Sequence, residues 1–246
     1  MKKVLLMSIC FTLLGCAATG NVNQVGANNC RVVIQSLLKA DKDQAIPSVD
    51  LLPALNQCVA FSETRGAQLS ANSYELKGAY HSMRKEPLLA VAAYEKMFEV
   101  APYKTKEMWR NVSLAISYRD SKQYDKSIAT LERALKNNPP TMPIFYNMAQ
   151  TYYQAGNYNK VVETIGLGLP FQKDYSWAYW YRGLAYEKLG KKDLAKEDFV
   201  VMNAMRIADY KKNPSSFTVK TDEAKQMVEE VNAKFKSYQI EQGILN

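Results

Sequence analysis

The sequence predicts an all-α chain, a solenoid of helix–turn–helix units closed by a C-terminal helix. Two observations carry this reading. Residues 71–209 repeat themselves, mostly at a spacing of 34 residues, and self-similarity at that period marks stacked supersecondary units. Apolar stripes at helical spacing flank the repeats, over residues 29–40 and 224–238.

The N-terminus reads as a targeting segment and stands outside the fold. Met1-Lys2-Lys3 is basic, and Val4 to Leu14 is almost wholly apolar. That apolar run of about 11 residues is too short for a bilayer, which takes roughly 17–25. A basic start, a short apolar core and a small residue at the end mark a cleaved secretory signal over residues 1–15. Leu13-Leu14-Gly15-Cys16 then resembles the lipobox of bacterial lipoproteins, with Leu14 bulkier than the residue commonest there. The resemblance implies that Cys16 takes a diacylglyceryl group, that the chain is cut before it and that the new amine is acylated. Two or more acyl chains hold a protein stably at a membrane, where one does not. Ala17 follows the cysteine, not Asp, and the resemblance then implies an outer-membrane protein that faces the periplasm.

Cleavage before Cys16 removes Lys2 and Lys3, so the formal charge falls from +8 by two, to +6. The basic residues alternate with acids, as in Lys-Lys-Asp-Leu-Ala-Lys-Glu-Asp at 191–198. That is the pattern of a solvated helix face and not the clustered footprint of a nucleic-acid binder. Of the four cysteines, Cys10 leaves with the signal and Cys16 carries lipid. Cys30 and Cys58 remain in a compartment that permits disulfides and are expected to pair. The alternative is two separate buried thiols. A bridge of this loop length adds roughly 3 kcal/mol of stability.

Residues 16–28 are small, polar and glycine-containing, and read as a flexible tether. Residues 29–66 read as an N-terminal helical cap or a degenerate repeat. Its first helix carries Val32, Val33, Ser36, Leu37 and Ala40 near one face. Pro47 and Pro53 bracket a turn, and a second helix over about 51–63 carries Cys58. Four units follow, at 71–104, 108–141, 142–175 and 176–209. Tyr118, Tyr152 and Tyr186 coincide in register, as do the small residues Gly78, Ala115, Ala149 and Gly183. Ala90, Ser127 and Ala195 take a small site in the second helix, and Gly156 and Gly190 mark the turn. The first unit is offset by 37 residues, its three extra ones falling near Tyr103-Lys104-Thr105-Lys106 in a loop, where insertions are tolerated.

This period and pattern resemble the tetratricopeptide repeat. The resemblance implies that the small sites let paired helices approach closely. Leu114, Tyr118, Leu131, Tyr152, Ile165, Tyr186 and Phe199 then fill the gaps between neighbours. No such unit buries its core alone, so units stack. The third unit departs most. Lys173 stands in place of its closing proline, and Pro170 ends its second helix early. Gly166 and Gly168 each cost that helix about 1 kcal/mol relative to Ala. It is expected to be the loosest unit. In the fourth, Met202 replaces a small residue. Beyond 209 comes a loop, then a helix over 220–242 that Thr221 or Asp222 caps. Its stripe of Ala224, Met227, Val228, Val231, Phe235 and Tyr238 suits a terminal cap. A membrane-surface helix is the alternative.

Little in the chain points to chemistry. His81 is the only histidine, and no zinc-type ligand set accompanies it. There is no G-x-S-x-G and no P-loop, and Gly166-Leu167-Gly168 has no strand before it. Glu229-Glu230 stands beside lysines on a polar helix face. The chain is therefore expected to be no enzyme and to need no cofactor or metal.

The resemblance also implies a concave wall, built from the second, fifth, ninth and twelfth residues of each unit. Those are Trp109, Val112, Ile116 and Arg119; Pro143, Tyr146, Gln150 and Tyr153; and Trp177, Trp180, Leu184 and Glu187. All three tryptophans fall there. Aromatic anchors among a few polar groups favour partner binding, and the groove suits an extended peptide or a helix. The expectation is a lipid-anchored scaffold that holds envelope proteins of pilus, secretion or cell-wall complexes. A peptidoglycan or glycan binder and a self-associating structural subunit are the alternatives. Trp180→Ala with Tyr146→Ala is expected to abolish capture without unfolding.

Overall fold

The computed structural model describes residues 21–43 and 47–212, together with Glu229 and Ala233. Among these residues every regular element is helical. Helix α1 (Asn21–Asp43) pairs with α2 (Leu52–Glu63), and α3 (Ala67–Met83) with α4 (Pro87–Val100). Next, α5 (Met108–Asp120) pairs with α6 (Tyr124–Asn137), and α7 (Met142–Gln154) with α8 (Tyr158–Gly168). Last, α9 (Ser176–Lys188) pairs with α10 (Lys192–Lys212). The chain divides between Pro139 and Pro140 into two compact bodies, the first ending with α6 and the second beginning with α7.

In the first body a disulfide joins Cys30 of α1 to Cys58 of α2 across 28 residues, with Cα atoms 4.7 Å apart. The pairing expected from the compartment is present. Cys58 also lies against Ser73 of α3, Sγ to Oγ 3.5 Å. Val33, Ile34 and Leu37 pack with Leu51 and Leu55 onto Leu76 and Tyr80 of α3. The inward face of α1 differs by one position from the expectation. Cys30, Ile34 and Leu37 follow one another down a single side, so Ile34 is buried and Val32 turns outward at 48% exposure. The helix also starts at Asn21, so residues 21–28 of the expected tether are helical. Gly26 explains the extension: it lies so close to α2 that a Cβ there would come within 2.4 Å of the Phe61 ring.

The small site of each first helix works as expected. A Cβ on Gly78 would meet the Tyr94 ring at 2.6 Å, and one on Gly183 would meet Phe199 at 2.7 Å. His81 is buried, edge-on to Tyr80, and donates from Nδ1 to Glu86 Oε2 at 2.7 Å. That bond holds the Glu86 carboxyl below its usual range. Arg84 joins the other Glu86 oxygen to the Pro47 carbonyl and so ties the N-terminal hairpin to the α3–α4 turn.

The four repeat turns share one geometry. Lys85, Lys122, Gly156 and Gly190 adopt φ of 60°, 63°, 77° and 73°. In each the next amide reaches back into the preceding helix, Glu86 to His81, Gln123 to Tyr118, Asn157 to Tyr152 and Lys191 to Tyr186. This pattern closes a helix through a left-handed residue. It places the first unit in register with the others despite its longer offset. Two of the four turns use lysine, in a conformation that costs a side chain about 1 kcal/mol.

In the second body α8 stops at Gly168, and Leu169–Phe171 forms a 3-10 turn around Pro170. The two glycines of α8 differ in kind. A Cβ on Gly168 would come within 2.7 Å of Met142 and Phe145, whereas one on Gly166 would meet nothing within 4 Å. Gly166→Ala is therefore expected to stabilise the protein by about 0.5–1 kcal/mol, and Gly168→Ala to destabilise it. Thermal melts of the two variants separate these outcomes. Met202 is buried with Trp180, Ala195 and Phe199 in the core of the last hairpin.

The signal, Cys16, the first residues of the tether (to 20) and most of the expected helix over 220–242 lie outside the described residues. Glu229 and Ala233 are helical and exposed.

Candidate partner-binding surface

The second body carries an aromatic cluster on the first helices of its two repeats. Tyr146, Gln150 and Tyr153 follow at steps of four and three on α7, which stacks them on one side. Tyr181 of α9 meets them from the next unit, and Tyr175 stands at the start of α9. Tyr158 opens α8. The rings form a row. Tyr175 lies 5.1 Å from Tyr146, Tyr146 5.5 Å from Tyr181, Tyr181 5.7 Å from Tyr153, and Tyr153 5.5 Å from Tyr158. Three of these contacts are edge-to-face, the arrangement ring quadrupoles favour.

Gln150 sits in the middle of the row. Its Nε2 donates to the Tyr146 hydroxyl at 3.1 Å and to the Tyr181 hydroxyl at 3.0 Å. One carboxamide therefore fixes two rings from two repeats. Burial pushes the Tyr175 phenol above its ordinary range. Beneath the row lies a floor of Met142, Ala149, Val161, Ile165, Ala178 and Ala185. All five tyrosines are half-buried, so the surface is open but backed by core.

The structure gathers three of the predicted residues here, Tyr146, Gln150 and Tyr153. It moves Trp180 elsewhere. The indole is 2% exposed and packs on Phe199 with ring centroids 5.2 Å apart. Met202, in place of a small residue, completes the pocket that encloses it. Trp177 and Leu184 pack against this same core and are only half-buried. Pro143 and Glu187 are half-buried near the two ends of the wall. In the first body Val112 is buried, which corrects its assignment to the groove, while Trp109, Ile116 and Arg119 are half-buried on α5. Arg119 pairs with Asp120 at 3.1 Å.

Tyr158, Tyr175 and Tyr181 were not anticipated, because they stand one or more places off the four wall positions. The signal available was density: tyrosines crowd residues 146–186. A second group also escaped. In the first unit the second and fifth wall positions are Asn72 and Glu75. Arg110 donates from Nε to Glu75 Oε2 at 2.9 Å, and Lys104 Nζ stands 3.8 Å from the same oxygen. Lys104 also donates to Asn72 at 3.1 Å. Glu75 is fully buried and Lys104 is 1% exposed. Burial pushes the Glu75 carboxyl up against the opposing pull of Arg110 and Lys104, and burial and Arg110 push the Lys104 ammonium down. Both cations meet Oε2, and Oε1 is buried without a hydrogen-bond partner, so the group is an internal ionic strut with one carboxylate oxygen left over. The turn Pro102–Lys106, expected to be a tolerated insertion, is what delivers Lys104 to it.

Two family models described as tetratricopeptide repeat match the chain, over residues 111–141 and 177–199. These are tetratricopeptide repeats. The matched stretches fall on α5–α6 and α9–α10, and the shared turn geometry extends the repeat to α3–α4 and α7–α8. Solved structures similar to this chain include MamA 41-end from Desulfovibrio magneticus RS-1. It is 14% identical, with 78% of this chain and 98% of that one covered and a TM-score of 0.61. A MamA RS-1 double mutant is 12% identical over 74% of this chain and 96% of that one, with a TM-score of 0.58. Another MamA crystal structure is 15% identical over 78% and 96%, with a TM-score of 0.55. At these identities the likeness is one of fold. No curated protein matches the chain in sequence. Among the described residues no helix is long and apolar enough to cross a membrane.

Proposed function

We propose that this protein is a lipid-anchored scaffold of the bacterial envelope that holds a protein partner on the tyrosine row of its second body. The carrying observation is that row itself: five half-buried aromatic rings and one carboxamide, assembled from two repeats and set over a rigid apolar floor. Rigid aromatic side chains with polar tips are what binding hot spots select. The anchor is supported by Leu13-Leu14-Gly15-Cys16, and the periplasmic side by Ala17 and by a disulfide, which suits an oxidising compartment. The repeat architecture is one that binds rather than catalyses, and envelope-machine assembly is the role it fits.

Crosslinked pulldown from intact cells tests this. Tyr146→Ala with Tyr153→Ala is expected to lose the partner at least tenfold while retaining its fold by circular dichroism. Cys16→Ser is expected to lose it through mislocalisation. Unchanged capture by the tyrosine variant contradicts the reading.

A further inference from the structure

We infer that the segment held by the tyrosine row is an extended, uncharged, proline-rich stretch of the partner. This rests on the partner-binding reading of that surface and names its ligand class. None of the six side chains in the row carries a charge; they are five phenols and one carboxamide. A partner acid or base buried against them would be left without a counter-charge, which opposes binding. A partner helix satisfies its own backbone groups and would offer the Tyr181 hydroxyl nothing to bond. A polyproline II segment has no internal hydrogen bonds, so its carbonyls are there to accept. Tyr181 accepts from Gln150 and keeps its own O–H proton as a donor aimed by that bond.

The geometry of the rings suits the same ligand. Successive centroids are 5.1 to 5.7 Å apart and successive planes are steeply tilted, so the row alternates ring faces with ring edges. Proline rings seat on such ridges, and aromatic-lined grooves recognise proline-rich segments in this way. A row of five rings spans about 22 Å at most, or about seven residues of polyproline II at ~3.1 Å each. The ligand is already extended in solution, so little chain freedom is lost on docking.

Titration of the full-length protein in detergent with a blocked decaproline peptide tests the inference. Comparison ligands are the same peptide with glutamate at every third position, and a chitooligosaccharide. Decaproline is expected to bind with a Kd of tens of micromolar, and the glutamate peptide at least tenfold more weakly. Tyr181→Phe and Gln150→Ala are expected to weaken decaproline about fivefold while retaining the fold by circular dichroism. Equal binding of the glutamate peptide, or a saccharide that binds in its place and depends on Tyr181, overturns the inference. So does absence of decaproline binding; if Tyr146→Ala with Tyr153→Ala still loses the cellular partner, the scaffold reading stands without it. Loss of neither partner nor peptide in those variants removes the surface from both.

Discussion

Glu75→Ala lowers the unfolding free energy by about 3–5 kcal/mol in a urea titration of the full-length protein. The Glu75 carboxylate pairs with both Arg110 and Lys104, and Lys104 is 1% exposed. Removing one member of a buried ion pair strands the rest, and the loss is set by the stranded charge rather than by the lost contact. Glu75→Gln keeps an acceptor for Arg110 Nε and is expected to lose less. Replacing Glu75 with Leu and Lys104 with Met together is also expected to cost less than Glu75→Ala alone, because no ammonium is then left unpaired. A loss below about 1 kcal/mol for Glu75→Ala would mean that water reaches the strut and that burial does not govern its energetics.

Trp180→Ala is the second large effect, and it concerns stability. The indole is enclosed by Phe199 and Met202, and truncating a buried tryptophan leaves a cavity worth about 3–5 kcal/mol. The double variant Trp180→Ala with Tyr146→Ala, expected on sequence grounds to probe binding alone, would therefore lose capture by unfolding the last hairpin. Tyr153→Ala, on a half-buried ring, is expected to cost much less than Trp180→Ala. Paired chemical denaturation and capture assays distinguish the two residues. Native stability in Trp180→Ala together with lost capture would return the indole to the binding surface.

The register of the repeats was legible in the sequence because close approach is a demanding condition. Gly78 faces Tyr94 and Gly183 faces Phe199 too closely for any side chain, and Ala115 and Ala149 are fully buried at the same site, so those sites recur visibly. The turns were half legible. Gly156 and Gly190 announce a left-handed residue, but Lys85 and Lys122 take the same conformation with no sign in their side chains. Burial along the wall was not legible. Glu75, Val112, Tyr146 and Trp180 occupy the same place in four repeats, yet three are buried and one is half-buried. The difference arises from what the neighbouring elements bring. Phe199 and Met202 cover Trp180, while Lys104 and Arg110 enclose Glu75. Lys104 reached its position through a three-residue insertion that looks, in one dimension, like any surface loop. The tyrosine row was found in part, since Tyr146, Gln150 and Tyr153 share one helix face, while Tyr158, Tyr175 and Tyr181 join it only through tertiary packing.

Site-specific photocrosslinking in intact cells tests the central claim most directly. A photoreactive phenylalanine analogue placed at Tyr153 or Tyr181 is expected to form a discrete adduct with the partner. The same probe at Lys160, on the exposed outer face of α8, is expected to form none. Adducts at Lys160 alone, or equally at all three positions, would contradict a partner held on the tyrosine row.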